Sequence, residues 1–70
     1  MAEVFIPPAS SHIQMAEWED QNLTVTFRDG AAYSYEGVPY STYMAMQSAP
    51  STGQFFVAMI KNKYPAQPVA

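Results

Sequence analysis

The sequence contains no cysteine, only three cationic residues and no long apolar run, and each absence excludes a class of protein. Without cysteine there is no disulfide scaffold and no thiolate metal site, and a single histidine cannot form a metal-binding cluster, so we expect no metal. Three cations are too few to line the basic groove of a protein that binds long nucleic acids. No segment approaches the roughly 20 apolar residues of a membrane span, so we expect no membrane partner.

The chain is short and has an unusually low fraction of charged residues. Its 70 residues suffice for one small domain, and 49% of them are hydrophobic while 13% are charged, against about 25% charged in an ordinary domain. A small core is marginally stable alone, so we expect a homo-oligomer or a partner protein to cover apolar surface. The N-terminal residues lack the basic region of a signal peptide, which predicts a cytoplasmic location, in the host cytoplasm if the chain is encoded by a phage.

The first half of the chain predicts β-structure. Residues 1–9 read as an extended N-terminal arm, either loose or docked on a neighbour as an edge strand, which Pro7 and Pro8 end. A weak strand is predicted over 11–18, with Ile13 and Met15 on one face, followed by a turn at 19–22. Alternating β-branched and aromatic residues predict a strong strand over 23–28, and Asp29-Gly30 a hairpin to a returning strand over 31–36.

The hairpin raises the question of whether Tyr33 and Tyr35 fill a core or face a ligand. A two-residue loop would place both rings on the polar face with the threonines. A three-residue loop closed by Gly30 would pair them with Val25 and Leu23 on the apolar face instead. The second arrangement separates apolar from polar residues better, so we favour tyrosines in the core, with the ligand-facing register as the alternative.

The second half predicts two short helices. Pro39 suits the start of a helix over 40–49, and Pro50 ends it. Ser51 and Gln54 have the spacing of a capping box for a second helix that ends before Pro65. The expected fold is α+β: a small antiparallel three-stranded β-meander followed by two short helices packed on one face, with a domain over 10–65 and a loose tail over 66–70.

The order of short motifs resembles the KTSC domain family. The matching segments are SSHI (10–13), LTVTF (23–27), YSY (33–35), GVP (37–39), AP followed by STGQFF (49–56), and IKNKYP (60–65). The resemblance implies a single-domain bacterial or phage protein related to the C-terminal region of some lysyl-tRNA synthetases. It carries over no catalytic residue, and it suggests RNA binding only through the association with the synthetase.

Three positions depart from the pattern of the family. Thr52 stands where lysine is common, Val57 where asparagine is common, and Met59 where a polar residue is frequent. These replacements weaken a polar site on the second helix. They disfavour RNA binding by this member and favour a protein interface.

A candidate anion site is the start of the second helix, where free N–H groups, the helix dipole and two hydroxyls meet. The predicted ligand is a small anion such as a nucleotide, and a phage protein of this kind could sequester a host nucleotide signal. The alternative is that the same residues only cap the helix. The predicted ligand-binding residues are Ser51, Thr52, Gly53, Gln54, Lys61, Lys63, Tyr64 and Arg28. In this hypothesis the two lysines come from a neighbouring copy, and otherwise they only complement the helix C-terminus.

A second hypothesis is a protein-interaction module that docks an apolar surface on a host protein. Its candidate interface residues are Phe5, Ile6, Trp18, Tyr40, Phe55 and Val57. Trp18 could instead cap the small core. His12 follows two serines, but adjacency in sequence does not make a nucleophile and base, so we interpret His12 as structural. The sequence shows no activated nucleophile, no group of metal ligands and no cofactor-binding loop. The chain is therefore expected to be neither an enzyme nor a cofactor-binding protein.

Overall fold

A computed structural model describes residues 2–9 and 11–69, and it shows an α+β domain. The elements in chain order are β1 (Glu3–Phe5), β2 (Ile13–Glu19), β3 (Asn22–Phe27), β4 (Ala32–Glu36), α1 (Tyr40–Ser48), α2 (Thr52–Met59) and β5 (Ala66–Pro68). The strands form one antiparallel sheet in the order β1-β2-β3-β4-β5. Both helices lie between β4 and β5 in the chain and contribute to one apolar core with the sheet.

The sheet has five strands in the described part of the chain, so the prediction of three was wrong. The two additional strands come from the segments expected to be an arm and a loose tail. β1 pairs with β2, where Phe5 lies opposite Ala16, and β5 pairs with β4, where Gln67 lies opposite Ser34. Each has only three residues and a proline within or near it, which is why their own sequences give little strand signal.

The β3–β4 hairpin has the three-residue loop that the sequence predicts. The Phe27 amide donates to the Ala31 carbonyl at 2.8 Å, which closes a loop of Arg28, Asp29 and Gly30. Gly30 has a φ of +97°, a backbone conformation that residues with a Cβ rarely adopt. The glycine therefore fixes the loop length, and the loop length fixes the register.

That register pairs Val25 with Tyr33 and Leu23 with Tyr35, which confirms the apolar-face arrangement. Tyr35 is 4% exposed and lies in the core, where its ring meets Phe56 edge-on at 5.3 Å. Tyr33 lies at the rim of the same face and is 37% exposed. The expectation of buried tyrosines therefore holds for Tyr35 and only in part for Tyr33.

β2 differs from its predicted alternation. The register of β2 on β3 shifts between Ile13 and Met15, an irregularity of the β-bulge type. A bulge changes which residues share a face. Ala16 consequently joins Ile13 in the core, with both side chains fully buried, while Met15 is only partly buried.

The helices cover the sheet through a few large side chains. Tyr43 and Met46 of α1 and Phe56 of α2 are buried, as is Ile60 directly after α2. α2 ends at Met59, earlier than predicted. Of the described helices, neither is long and apolar enough to cross a membrane.

Candidate functional site

A groove of about 890 Å³ opens beside the start of α2. It is bounded by the end of β1 and the segment after it, the start of β2, the junction of the two helices and one side of α2. Its lining residues are Phe5, Ile6, Pro8, Ser11, His12, Gln47, Ala49, Pro50, Ser51, Thr52, Gly53, Gln54, Val57 and Ala58. Among these described residues there is no aspartate, glutamate, lysine or arginine, so the groove has no fixed charge. It has one polar end, and the remaining lining is apolar apart from Ser11, His12 and Gln47.

The polar end is the first turn of α2. The Ser51 hydroxyl accepts a hydrogen bond from the Gln54 amide at 3.3 Å, which confirms Ser51 as the N-cap. One donor of the helix start is thereby satisfied. The amides of Thr52 and Gly53 have no acceptor inside the helix, as the first amides of any helix do not.

Thr52 is the unusual side chain of this turn. It is 6% exposed, the least exposed polar residue in the described core. Its hydroxyl forms no hydrogen bond with residues 2–9 or 11–69. Within the same ranges, every fully buried side-chain oxygen or nitrogen has a partner. The hydroxyl is therefore accessible, and because Thr52 lines the groove it can donate to or accept from a ligand there.

His12 packs directly on Gly53. A Cβ atom at position 53 would lie 2.7 Å from Nδ1 and 2.8 Å from Cε1 of the imidazole, so only glycine allows this approach. The imidazole also stacks on Phe27, with ring centroids 5.6 Å apart and an angle of 13° between the planes. His12, interpreted as structural from the sequence, thus forms part of the wall of the groove as well.

Arg28 lies outside the groove and forms hydrogen bonds with the backbone segment that lines one side of it. Its Nε donates to the Ser11 carbonyl at 2.6 Å and its Nη2 to the Pro8 carbonyl at 3.4 Å. The Arg28 amide donates to the His12 carbonyl at 3.1 Å. Two of its side-chain nitrogens are thus directed to the backbone of residues 8–12, and the predicted ligand-binding role of Arg28 stays a prediction.

The apolar part of the groove brings together three predicted interface residues. Phe5 ends β1 and is half-buried, Ile6 follows it and is 64% exposed, and Val57 of α2 is 48% exposed. Such a cluster of exposed apolar side chains at a concave surface is typical of a binding site.

The other predicted ligand-binding residues do not reach the groove of their own chain. Lys61 and Lys63 follow α2 and are exposed, and Tyr64 packs against the core. The helix has no basic residue in its last turn, and the lysines lie just beyond it, with Lys61 directly after the C-cap Ile60. The ligand-binding residues predicted from sequence therefore divide: Ser51–Gln54 line the groove, and the cations and Tyr64 do not.

Trp18 and Tyr40 lie in a separate aromatic cluster. Their rings meet edge-on at 4.9 Å, and the Trp18 indole donates to the Val38 carbonyl at 2.9 Å. The Tyr40 hydroxyl donates to the Glu3 carboxylate at 3.0 Å, which raises the pKa of Tyr40. Phe55 is half-buried against the core. The predicted interface is consequently not one surface.

The acidic residues lie away from the groove. Glu17, Glu19 and Asp20 surround a smaller depression of about 390 Å³ with polar neighbours on the sheet. Within residues 2–9 and 11–69, no group of three or more potential ligands has the geometry to hold a metal ion.

Sequence reasoning missed the contribution of Ser11, His12 and the junction residues Gln47, Ala49 and Pro50 to the groove. The one local signal was Gly53, a glycine within a predicted helix start, which marks a close approach by another group. The sequence could not show that the approaching group is His12.

Comparisons with known proteins give a consistent picture of the whole chain. The family model for the KTSC domain matches residues 9–64. A crystal structure of a KTSC domain protein from Yersinia pestis superposes with a TM-score of 0.88 and 28% identity, and the alignment covers 100% of both chains.

The curated relatives that match are much longer proteins. The lysine–tRNA ligase of Nostoc punctiforme is 38% identical over 61 residues, and that of Trichormus variabilis is 36% identical over 61 residues. Each alignment covers 84% of this chain but only 11% of the ligase. The similarity therefore concerns one small part of each ligase.

Proposed function

The chain belongs to the KTSC domain family, and we propose that this member is a non-enzymatic binding module whose ligand lies in the groove at the start of α2. The observation that carries the proposal is the convergence of two sets of residues. The donors around Thr52 and the apolar side chains of Phe5, Ile6 and Val57 come from distant parts of the sequence and line one groove. A concave, mainly apolar surface with a few polar groups is the usual form of a ligand site.

The composition of the groove favours a ligand with one anionic group and an apolar body. Helix amides and hydroxyls stabilise a negative charge at the polar end. A nucleotide carries several charges and would meet no lysine or arginine among the described residues that line the groove, because Lys61 and Lys63 lie outside it. Nucleotide binding therefore stays a prediction, and it requires a neighbouring copy of the chain. The phage role and the cytoplasmic location also stay predictions.

A protein partner is the second candidate ligand, and Phe5, Ile6 and Val57 favour it. Their side chains are exposed or half-buried, and a partner would remove them from water. RNA is disfavoured because phosphate contacts require clustered cations, and the groove offers none in the described chain.

The proposal is tested by nuclear magnetic resonance on isotope-labelled protein. Amide shifts are recorded while three probes are added separately: a mixture of aliphatic carboxylates, a mixture of nucleotides, and short apolar peptides. We expect shifts at Ser51–Gln54, His12 and Val57 with the carboxylates or peptides. Shifts confined to residues 61–64 with nucleotides would contradict the groove and support the lysine site.

A matched pair of variants locates the binding. Val57→Ser and Met59→Ser change two apolar residues of α2 with similar exposure, 48% and 43%, but only Val57 lines the groove. Val57→Ser should weaken binding several-fold, and Met59→Ser should leave it unchanged. Equal effects of both variants would show that the ligand does not occupy the groove.

A further inference from the structure

We propose that the groove binds the C-terminal end of a partner protein, with the terminal carboxylate at the start of α2 and an apolar last side chain against Val57 and Phe5. This inference rests on the proposed function and names the class of partner. Its starting point is Thr52, a residue that is only 6% exposed, lines the groove and has a hydroxyl without a hydrogen-bond partner in the described chain.

The charge of the ligand follows from the charge of the groove. One carboxylate needs two or three donors, and the turn provides the Thr52 hydroxyl and the free amides of Thr52 and Gly53. A phosphate monoester carries nearly two charges at neutral pH. It would have no lysine or arginine beside it among the described lining residues, and the net charge of the sequence is −3. The donors present therefore match a single negative charge better than a double one.

The rest of the ligand follows from the apolar walls. Beyond the polar end the groove is lined by side chains such as Ile6, Val57 and Ala58, which an apolar side chain would cover. A volume of about 890 Å³ is larger than a small carboxylate requires. The last few residues of a protein would fill it and would bring one terminal carboxylate.

The sheet provides a reason for an extended peptide. β1 ends at Phe5 and, among the described strands, pairs only with β2, so its outer edge has no strand neighbour. An edge strand offers backbone donors and acceptors to an added strand. Since Phe5 belongs both to this edge and to the groove, a bound segment can use backbone pairing and the carboxylate site together.

The test is fluorescence polarisation with labelled hexapeptides. Each peptide ends in valine, leucine or isoleucine and is prepared with a free C-terminal carboxylate or with a C-terminal amide. We expect the carboxylate form to bind about tenfold more tightly or better, the ratio that corresponds to one hydrogen-bonded charge. This comparison uses the unmodified protein and so does not depend on the folding of a variant.

Variants of Thr52 then test the site. Thr52→Val removes the hydroxyl at nearly constant size and should remove most of the preference for the carboxylate form. Thr52→Ser keeps the hydroxyl and should retain that preference. Circular dichroism establishes that both variants are folded, and Thr52→Ser still tests the proposal if Thr52→Val is not.

Three results would overturn the inference. Equal binding of the carboxylate and amide peptides would leave the groove as a binding site but not for a terminal carboxylate. Displacement of the peptide by inorganic phosphate at lower concentration than by acetate would assign the site to phosphate. No binding of any hexapeptide would exclude the C-terminal segment, while the carboxylate and nucleotide titrations would still decide whether the groove binds a small ligand.

Discussion

Gly53 and His12 form a contact that sets the shape of the polar end of the groove. The imidazole occupies the space in which any other residue at position 53 would place its Cβ atom. Alanine would ordinarily stabilise a helix relative to glycine by up to about 1 kcal/mol. At this position the gain is opposed by the clash with His12, so the effect of the substitution depends on the neighbouring ring.

This dependence predicts that the effect of Gly53→Ala on the free energy of unfolding changes sign when His12 is removed. Gly53→Ala should lower the free energy of unfolding by about 1 kcal/mol in the natural sequence, because the His12 ring must move off Phe27. In a His12→Ala background the same substitution should be neutral or stabilising. Urea denaturation of the four proteins measures the coupling between the two positions. Additive effects would show that the ring does not rest on Gly53.

Arg28 acts on the groove from outside. It is exposed, yet its guanidinium holds the carbonyls of Ser11 and Pro8, the segment that carries His12. Hydrogen bonds from a charged donor contribute more than neutral ones, although exposure to water reduces the gain.

Arg28→Met is therefore expected to lower the free energy of unfolding by about 1 kcal/mol and to speed hydrogen exchange at Ser11–Ile13. Lys61→Met removes another exposed cation and is the control, with an expected change within about 0.5 kcal/mol. Hydrogen exchange followed by mass spectrometry measures the local effect. An unchanged exchange rate in Arg28→Met would show that the guanidinium does not fix this segment.

At the scale of the element, the two edge strands are the parts of the sheet with the least local support. β5 is exposed at all three residues but closes one edge of the sheet. The Glu36 amide donates to the Pro65 carbonyl at 3.0 Å, and the Val69 amide to the Ala32 carbonyl at 2.9 Å. These bonds hold β5 beside β4, the strand that carries the buried Tyr35.

Removal of residues 66–70 should consequently lower stability by about 2 kcal/mol, the sum of two to three backbone hydrogen bonds. It should also expose the Ser34 amide to hydrogen exchange. A thermal melt followed by circular dichroism measures the first effect. A loose tail, the expectation from sequence, would give an unchanged melting temperature.

The whole molecule should lose stability in alkaline solution. Burial raises the pKa of Tyr35 and Tyr43 above the ordinary value of 10.0, and the hydrogen bond to Glu3 raises that of Tyr40. A raised pKa means that the folded state holds the proton more tightly. The resulting stabilisation is complete below the unfolded pKa and is lost as the pH rises through the folded pKa.

We therefore expect the free energy of unfolding to fall as the pH is raised from about 9 to about 11. Urea denaturation at each pH measures the decline, and ultraviolet difference absorbance measures tyrosine ionisation. Tyr40→Phe should make the decline shallower, because one of the three titrating groups is removed. A stability that is constant or increases over this range would contradict the raised pKa of these tyrosines.

Self-association is the remaining prediction for the whole molecule. Val4 and Ile6 are 54% and 64% exposed and lie in and after β1, an edge of the sheet. Sedimentation equilibrium should show a homo-oligomer, and replacing both residues with aspartate should yield a monomer. If the unmodified protein is a monomer at all concentrations, self-association is contradicted, and a different partner would have to cover these side chains.

Local sequence determines the parts of this protein whose physics is local. The register of the hairpin follows from Gly30 and the alternation of β3, and the start of α2 follows from Ser51 three residues before Gln54. In both cases the deciding interactions join residues close in the chain. The family resemblance rested on the order of short motifs, and the family model for the KTSC domain confirmed it over residues 9–64.

Tertiary structure alone decided the five-stranded sheet and the groove. β1 and β5 are strands because a neighbouring strand satisfies their backbone groups. The sequence of a three-residue segment does not by itself indicate such a neighbour. The groove joins Phe5, His12 and Val57, which are far apart in the sequence. Their meeting depends on the hydrogen bonds of Arg28 and the packing of α2, which join residues that no short segment contains together.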